Sequence, residues 1–239
     1  MTKRMLYVAL DSTNQKENLK SAAELTKRVL HGNYGFKINL DSVANFSSGA
    51  LSSHDMVKTI LDYGKPVFVD MKMWNGGRTV ESIATGCAEL GVDIINMYPH
   101  AGKAFYERVL SALKGSNTKL FGLTVLTHYT DKDTQKLYGK NLRDAVRMFA
   151  EMNEEYGANG IILPGTALND VKDINLSKLV PAVRPIWFAD KKANSQEQTV
   201  APEEAFENGA NYVVCGSPIF KSPNPAEALE RILTENNLS

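Results

Sequence analysis

The chain is short of cysteine, shows no excess of either charge and contains no long apolar run, and each shortage closes off a class of function. Lys plus Arg and Asp plus Glu stand at 27 each. No basic face is therefore expected to gather phosphate backbones, and nucleic acid is not an expected partner. Apolar stretches such as 161–163 and 212–215 fall far below the length that crosses a bilayer. The start at 1–5 is charged and leads into a strand-like segment rather than a signal core. These features predict a soluble, cytoplasmic protein with no membrane partner. Cys87 and Cys215 sit inside apolar segments without metal-ligand spacing, so buried thiols are expected rather than a disulfide or a zinc site. No linker, internal repeat or low-complexity segment divides the 239 residues, which predicts one domain over 1–239.

What the chain does have is alternation. Short β-rich apolar runs at 5–10, 35–39, 66–71, 92–97, 120–126, 160–163, 185–188 and 211–215 read as strands. Helical spacing occupies the intervals at 16–30, 52–63, 78–90, 103–114, 141–156, 169–179, 202–208 and 225–236. Ala-Pro-Glu-Glu at 201–204 is a helix start, because proline fits the first turn. No Gly-rich dinucleotide fingerprint follows the first strand. Eight βα units in this length predict an α/β fold, a closed (β/α)8 TIM barrel.

Active sites of such barrels lie at the C-terminal ends of the strands. The polar residues expected there are Asp11, Lys37, Asp70, Lys72, Asn75, His100, Thr127, His128, Asp190, Lys191, Gln196 and Ser217. Asp70 and Lys72 are two apart between apolar neighbours, so both should face the barrel interior. They could form a structural ion pair. Lys37 on the neighbouring strand weighs against that, since burying three charges for stability alone costs more than it returns. Met97, Tyr98 and His100 read as packing and loop residues.

Phe-Val-Asp-Met-Lys-Met-Trp-Asn at 68–75 resembles the Asp-x-Lys-x-x-Asp motif of the orotidine monophosphate decarboxylase superfamily. Val-Ala-Leu-Asp at 8–11, Phe-Lys-Ile-Asn at 36–39, Leu-Thr-Val-Leu-Thr at 123–127 and Gly-Ala-Asn-Tyr-Val-Val-Cys-Gly at 209–216 resemble its first, second, fifth and eighth strand segments. The resemblance implies decarboxylation of orotidine 5'-phosphate with no metal and no organic cofactor. It implies Lys72 as proton donor, Asp70 against the leaving carboxylate, and Lys37 orienting Asp70 and reaching the ribose. Asp11 would bind the ribose, Thr127 belongs to the fifth-strand signature, and Gln196 would bridge phosphate and pyrimidine. It further implies a homodimer in which the residue at 75 and Thr79 complete the partner's site.

Three positions depart from the family pattern. Asn75 replaces the last motif acid, His128 replaces a serine near the pyrimidine, and Ser217 replaces the phosphate-binding arginine. Ala-Asp-Lys-Lys at 189–192 is read as the counterpart of Pro-Gly-Ile-Arg after the seventh strand, with Lys191 or Lys192 as substitute cation. Two alternatives stand beside this reading. Asn-Gly-Gly at 75–77 is similar to the Asp-Gly-Gly of the magnesium-dependent sugar-phosphate decarboxylases and aldolases of the same superfamily. The missing arginine also fits a nucleotide-binding barrel with weak or no catalysis.

Overall fold

The computed structural model describes residues 4–188 and 198–239. Eight parallel strands pair in chain order and close on themselves. They are β1 (Met5–Leu10), β2 (Tyr34–Asn39), β3 (Val67–Met73), β4 (Ile94–Met97), β5 (Lys119–Leu123), β6 (Gly160–Ile162), β7 (Ser177–Val180) and β8 (Tyr212–Cys215). Helices between them, such as Gln15–Arg28, Gly77–Leu90 and Leu142–Glu155, cover the outside. Side-chain caps start several of them: Asn14 accepts from Lys16 N–H, Ser52 from Asp55 N–H and Asn141 from Asp144 N–H. None of the described helices is long and apolar enough to cross a membrane.

The seventh strand corrects the sequence reading. It lies at Ser177–Val180 rather than 185–188, and the expected helix at 169–179 is replaced by a 3-10 segment, Gly165–Val171, followed by that strand. Ser177, Lys178 and Leu179 pair with Gly160, Ile161 and Ile162, while Leu179 and Val180 pair with Tyr212 and Val213. A four-residue strand held on both edges takes its conformation from tertiary pairing, which local spacing does not report. Ile186, expected in a strand, is instead exposed. The segment leaving β7 is thus Pro181-Ala182-Val183-Arg184, and it rather than 189–192 follows the seventh strand. Asp190, Lys191, Lys192 and Gln196 lie outside the described residues.

Alternation along the strands separates two cores. Leu6, Val8 and Leu10 face the helices, whereas Met5, Tyr7 and Ala9 face inward with Phe68, Ile94, Phe121, Ile162, Leu179, Tyr212 and Val214. The inward rings of Tyr7, Phe68, Phe121 and Tyr212 meet at centroid distances of 5.6 to 6.1 Å and fill the lower barrel. Glycines make room for them. A Cβ at Gly160 would lie 2.5 Å from the Phe121 ring, and one at Gly35 would lie 3.0 Å from the Tyr7 ring and 2.4 Å from the Pro66 carbonyl oxygen. The Tyr7 hydroxyl donates to Asp93, and Lys119 Nζ reaches the same carboxylate at 3.1 Å. Among the described residues, the barrel interior opens above this layer, toward the C-terminal strand ends.

Candidate active site

The strand register carries the inward row from apolar to charged residues. Ala9 pairs with Lys37, Lys37 with Phe68, and Asn39 with Asp70, so the residues next above the ring layer are Lys37 and Asp70. Lys37 is 7 % exposed, yet its ammonium is paired. Nζ donates to Asp11 Oδ1 at 2.7 Å and Asn39 Oδ1 at 2.6 Å, and lies 3.9 Å from Asp70 Oδ2. Asn39 Nδ2 closes the triangle by donating to Asp11 Oδ1 at 2.8 Å. Lys72 Nζ donates to both oxygens of Asp70 at 2.7 Å. One nearly buried carboxylate thus lies between two ammoniums, the arrangement expected where charge is held ready for use.

Lys72 reaches this position through an irregular backbone. Val69 pairs with Ile95 and Met73 with Met97, so four steps along β3 match two along β4. Within this bulge Lys72 has φ 47, a left-handed conformation that is unfavourable for a lysine. The wholly buried Asn96 fills the gap. Its Oδ1 accepts from the Lys72 backbone N–H at 2.7 Å, and its Nδ2 donates to Asp70 Oδ1 at 2.7 Å.

These groups line a cavity of about 600 Å³, within the range of small-molecule sites. It brings together Asp11, Lys37, Asp70, Lys72, Thr127, His128 and Ser217 of the residues singled out in the sequence. Asn75 and Thr79 are not among its lining residues. Asn75 is exposed just beyond β3, where its Oδ1 accepts from Gly76 N–H at 2.7 Å, and Thr79 is half-buried in the first turn of Gly77–Leu90. The cavity also contains four polar residues that the sequence reading missed: Asn39, Asn96, Arg184 and Lys221. Arg184 was hidden by the displaced seventh strand; with β7 at Ser177–Val180, Pro181-Ala182-Val183-Arg184 falls on the Pro-Gly-Ile-Arg pattern. Ala182, at the glycine position of that pattern, has φ 61, a conformation glycine would adopt without strain. Arg184 also opposes the upward shift that burial gives the Cys215 thiol. Lys221 follows the four-residue helix Ser217–Phe220, and its N–H donates to the Ser217 carbonyl at 2.9 Å.

Beside the cavity stands an aromatic wall. His100 packs against Trp74, Tyr98, Tyr138 and Phe149 at centroid distances of 4.7 to 5.9 Å, consistent with the packing role read from the sequence. Burial lowers the His100 pKa, which favours the neutral ring. Burial, reinforced by Tyr129, Tyr138 and Asp70, pushes the Tyr98 phenol up to about 12. His128 stacks edge-on against Tyr129 at 4.9 Å on the exposed rim.

Comparison with known proteins yields one family. The model of the Orotidine 5'-phosphate decarboxylase / HUMPS family matches residues 4–232. The chain is 28% identical over 237 residues to orotidine 5'-phosphate decarboxylase of Nautilia profundicola, covering 96% of this chain and 97% of that protein. It is 30% identical over 230 residues to the enzyme of that name from Ehrlichia chaffeensis, covering 95% of each. Among solved structures, orotidine 5'-phosphate decarboxylase from Lactobacillus acidophilus superposes with a TM-score of 0.78 at 23% identity, covering 98% of this chain and 99% of that one, a likeness of fold.

Proposed function

Since the chain belongs to the Orotidine 5'-phosphate decarboxylase / HUMPS family, we propose that it is a carboxy-lyase that converts orotidine 5'-phosphate to uridine 5'-phosphate in pyrimidine biosynthesis, without a metal and with Lys72 as proton donor. The observation that carries this reading is the Lys37–Asp70–Lys72 array in the cavity, with Asp70 between two ammoniums. The substrate carboxylate lies against Asp70, where two like charges raise the energy of the bound state, while Lys72 faces the carbon that becomes negative. The C6–carboxylate bond breaks, carbon dioxide leaves, and the electron pair stays on C6. A proton from Lys72 Nζ then completes the product, and solvent returns a proton to the amine. Asp11 and Lys37 hold the ribose; Thr127 and His128 stand near the pyrimidine.

The phosphate is met by Arg184 and Lys221, with Ser217 between the strand end and Lys221. Charged donors there make up for the absent arginine at position 217. Gln196 and Lys191, which lie outside the described residues, keep the phosphate-binding role that the resemblance implies. Asn75 and Thr79, both outside the cavity of their own chain, serve the second site of a homodimer; the exposed Trp74 beside Asn75 supports an interface there. The magnesium-dependent branch fits less well. That branch carries an acid at the second-strand position that Lys37 occupies here, and an ammonium 2.7 Å from Asp11 and 3.9 Å from Asp70 would repel a metal.

Loss of orotidine 5'-phosphate absorbance, followed with and without chelator, tests the proposal. Decarboxylation that survives chelation is the expected result. Activity lost to chelator and restored by magnesium would move the chain to the sugar-phosphate branch. A protein that binds the nucleotide without turning it over would leave only the binding barrel.

A further inference from the structure

The bulge in β3 poses a physical question. Two residues more than its partner strand needs are inserted between Val69 and Met73, and Lys72 is held at φ 47. Such a conformation persists only where the surroundings over-determine it. The group that does so is a side chain rather than the backbone of β4. Asn96 is wholly buried between Ile95 and Met97, and it uses both ends of its amide on the site: the oxygen on the Lys72 backbone, the nitrogen on the Asp70 carboxylate, each at 2.7 Å.

We propose that Asn96 is a positioning residue of the reaction, a neutral group that sets Asp70 and Lys72 at their working separation; this rests on the decarboxylase reading above. The chemistry requires an amide at this position. The Lys72 N–H needs an acceptor, and Asp70 Oδ1, which already accepts from Lys72 Nζ, takes a second donor that adds no charge, because a third cation would relieve the repulsion that Asp70 exerts on the substrate. An ionised acid supplies the acceptor but not the donor; an aliphatic side chain supplies neither. Asparagine supplies both in one rigid plane. Its contact to Asp70 also leaves the second carboxylate oxygen to Lys72 and, at 3.9 Å, to Lys37.

Two substitutions test this with different signatures. Asn96→Asp keeps the shape and the acceptor but turns the donor into a carboxylate facing Asp70. The charged or titratable described groups around it are Asp70 and Lys72 on β3, Lys37 on β2 and Tyr98 after β4. At pH 8 kcat should fall at least about tenfold with KM within about threefold of wild type. As pH drops and the new carboxyl takes a proton, it becomes a donor again, and the deficit should shrink. Asn96→Leu should lose kcat at every pH, with no recovery. Its crystal structure should show Lys72 released from positive φ, an outcome that does not depend on the substrate.

Several results would overturn the inference: Asn96→Leu with kcat within twofold of wild type, a loss confined to KM, an Asn96→Asp pH profile parallel to wild type, or Lys72 still at positive φ without Asn96. Should one variant fail to fold by circular dichroism, the other decides alone. Wild-type protein inert toward orotidine 5'-phosphate would instead refute the decarboxylase reading, and the Lys72 conformation would then still judge Asn96.

Discussion

Replacing Lys72 by glycine separates chemistry from stability, because the structure assigns the two effects different magnitudes. Lys72 Nζ lies 2.7 Å from both oxygens of Asp70, so its charge is within direct reach of a reacting carbon beside that carboxylate. A unit charge ~3.5 Å away at an effective dielectric of ~20 is worth about 5 kcal/mol, and the loss of one preorganised group usually costs at least about a hundredfold. The expected fall in kcat therefore lies between about a hundredfold and a few thousandfold, at ~1.4 kcal/mol per tenfold. Stability should not fall far. Asp70 keeps the Asn96 donor at 2.7 Å and Lys37 at 3.9 Å, so it is not left unpaired. The Lys72 side chain is 38% exposed, which limits its ion pair to ~0–1 kcal/mol. Glycine relieves strain of ~1–3 kcal/mol at φ 47 while adding ~0.5–1 kcal/mol of unfolded-chain entropy. The sum, about −1 to +2.5 kcal/mol, predicts a Tm no more than about 4 °C below wild type and up to about 10 °C above it. Lys72→Ala should lose the same kcat and melt lower than Lys72→Gly, since alanine retains the strain. Absorbance kinetics and differential scanning calorimetry on the three proteins read both quantities. Turnover of Lys72→Gly within tenfold of wild type would refute the proton-donor role, and a larger drop in Tm would refute the account of the bulge.

Other predictions follow from the cavity and its supports. Arg184→Ala should raise KM for the nucleotide by roughly 10–100-fold, the loss of one charge-assisted contact, with a smaller change in kcat; an unchanged KM by steady-state kinetics would remove Arg184 from the phosphate site. Burial pushes the Cys87 thiol up to about 11, so at pH 8 it should react with a thiol reagent roughly a hundredfold more slowly in the native protein than after denaturation, accelerating as pH rises toward 11; labelling at equal rates before and after unfolding would contradict the shielding of this half-buried thiol. Gly160→Ala places a Cβ 2.5 Å from the Phe121 ring and 2.7 Å from the Ser177 carbonyl. It should destabilise by about 3 kcal/mol, or ~6–12 °C in Tm, and a melting curve matching wild type would show that the ring layer is looser than described.

The charged core of the site was legible because charge is conspicuous in an apolar strand. Lys37, Asp70 and Lys72 interrupt runs such as Phe-Val-Asp-Met-Lys-Met, and spacing by two is enough to assign the last pair to one face. Spacing did not show the bulge that brings Lys72 there at positive φ, since a bulge is a mismatch between two strands and belongs to neither sequence alone. Asn39 and Asn96 were missed for a different reason: a neutral amide in a strand carries no signal until its partners are known. The seventh strand was misread because Val171, Ile174 and Leu179 repeat at near-helical intervals while 185–188 has the composition of a strand. That one displacement also concealed Arg184. The helix Asp131–Tyr138 went unseen because it is mostly polar, although Thr130 and Asp133 form a capping box at its start.

The layer of Tyr7, Phe68, Phe121 and Tyr212 makes the barrel a vessel with one mouth. Whatever enters the cavity must leave by the way it came, so two products formed inside share a single exit. In the proposed reaction carbon dioxide, small and uncharged, would form at the inner end beside Asp70, whereas the nucleotide would be tethered nearer the rim through its phosphate. The gas must therefore slip past a bound nucleotide or wait for it to depart. Departure of the larger product then sets how often the vessel empties, and grip at the rim, rather than bond breaking at the floor, becomes the brake on repeated turnover whenever Arg184 and Lys221 hold too tightly.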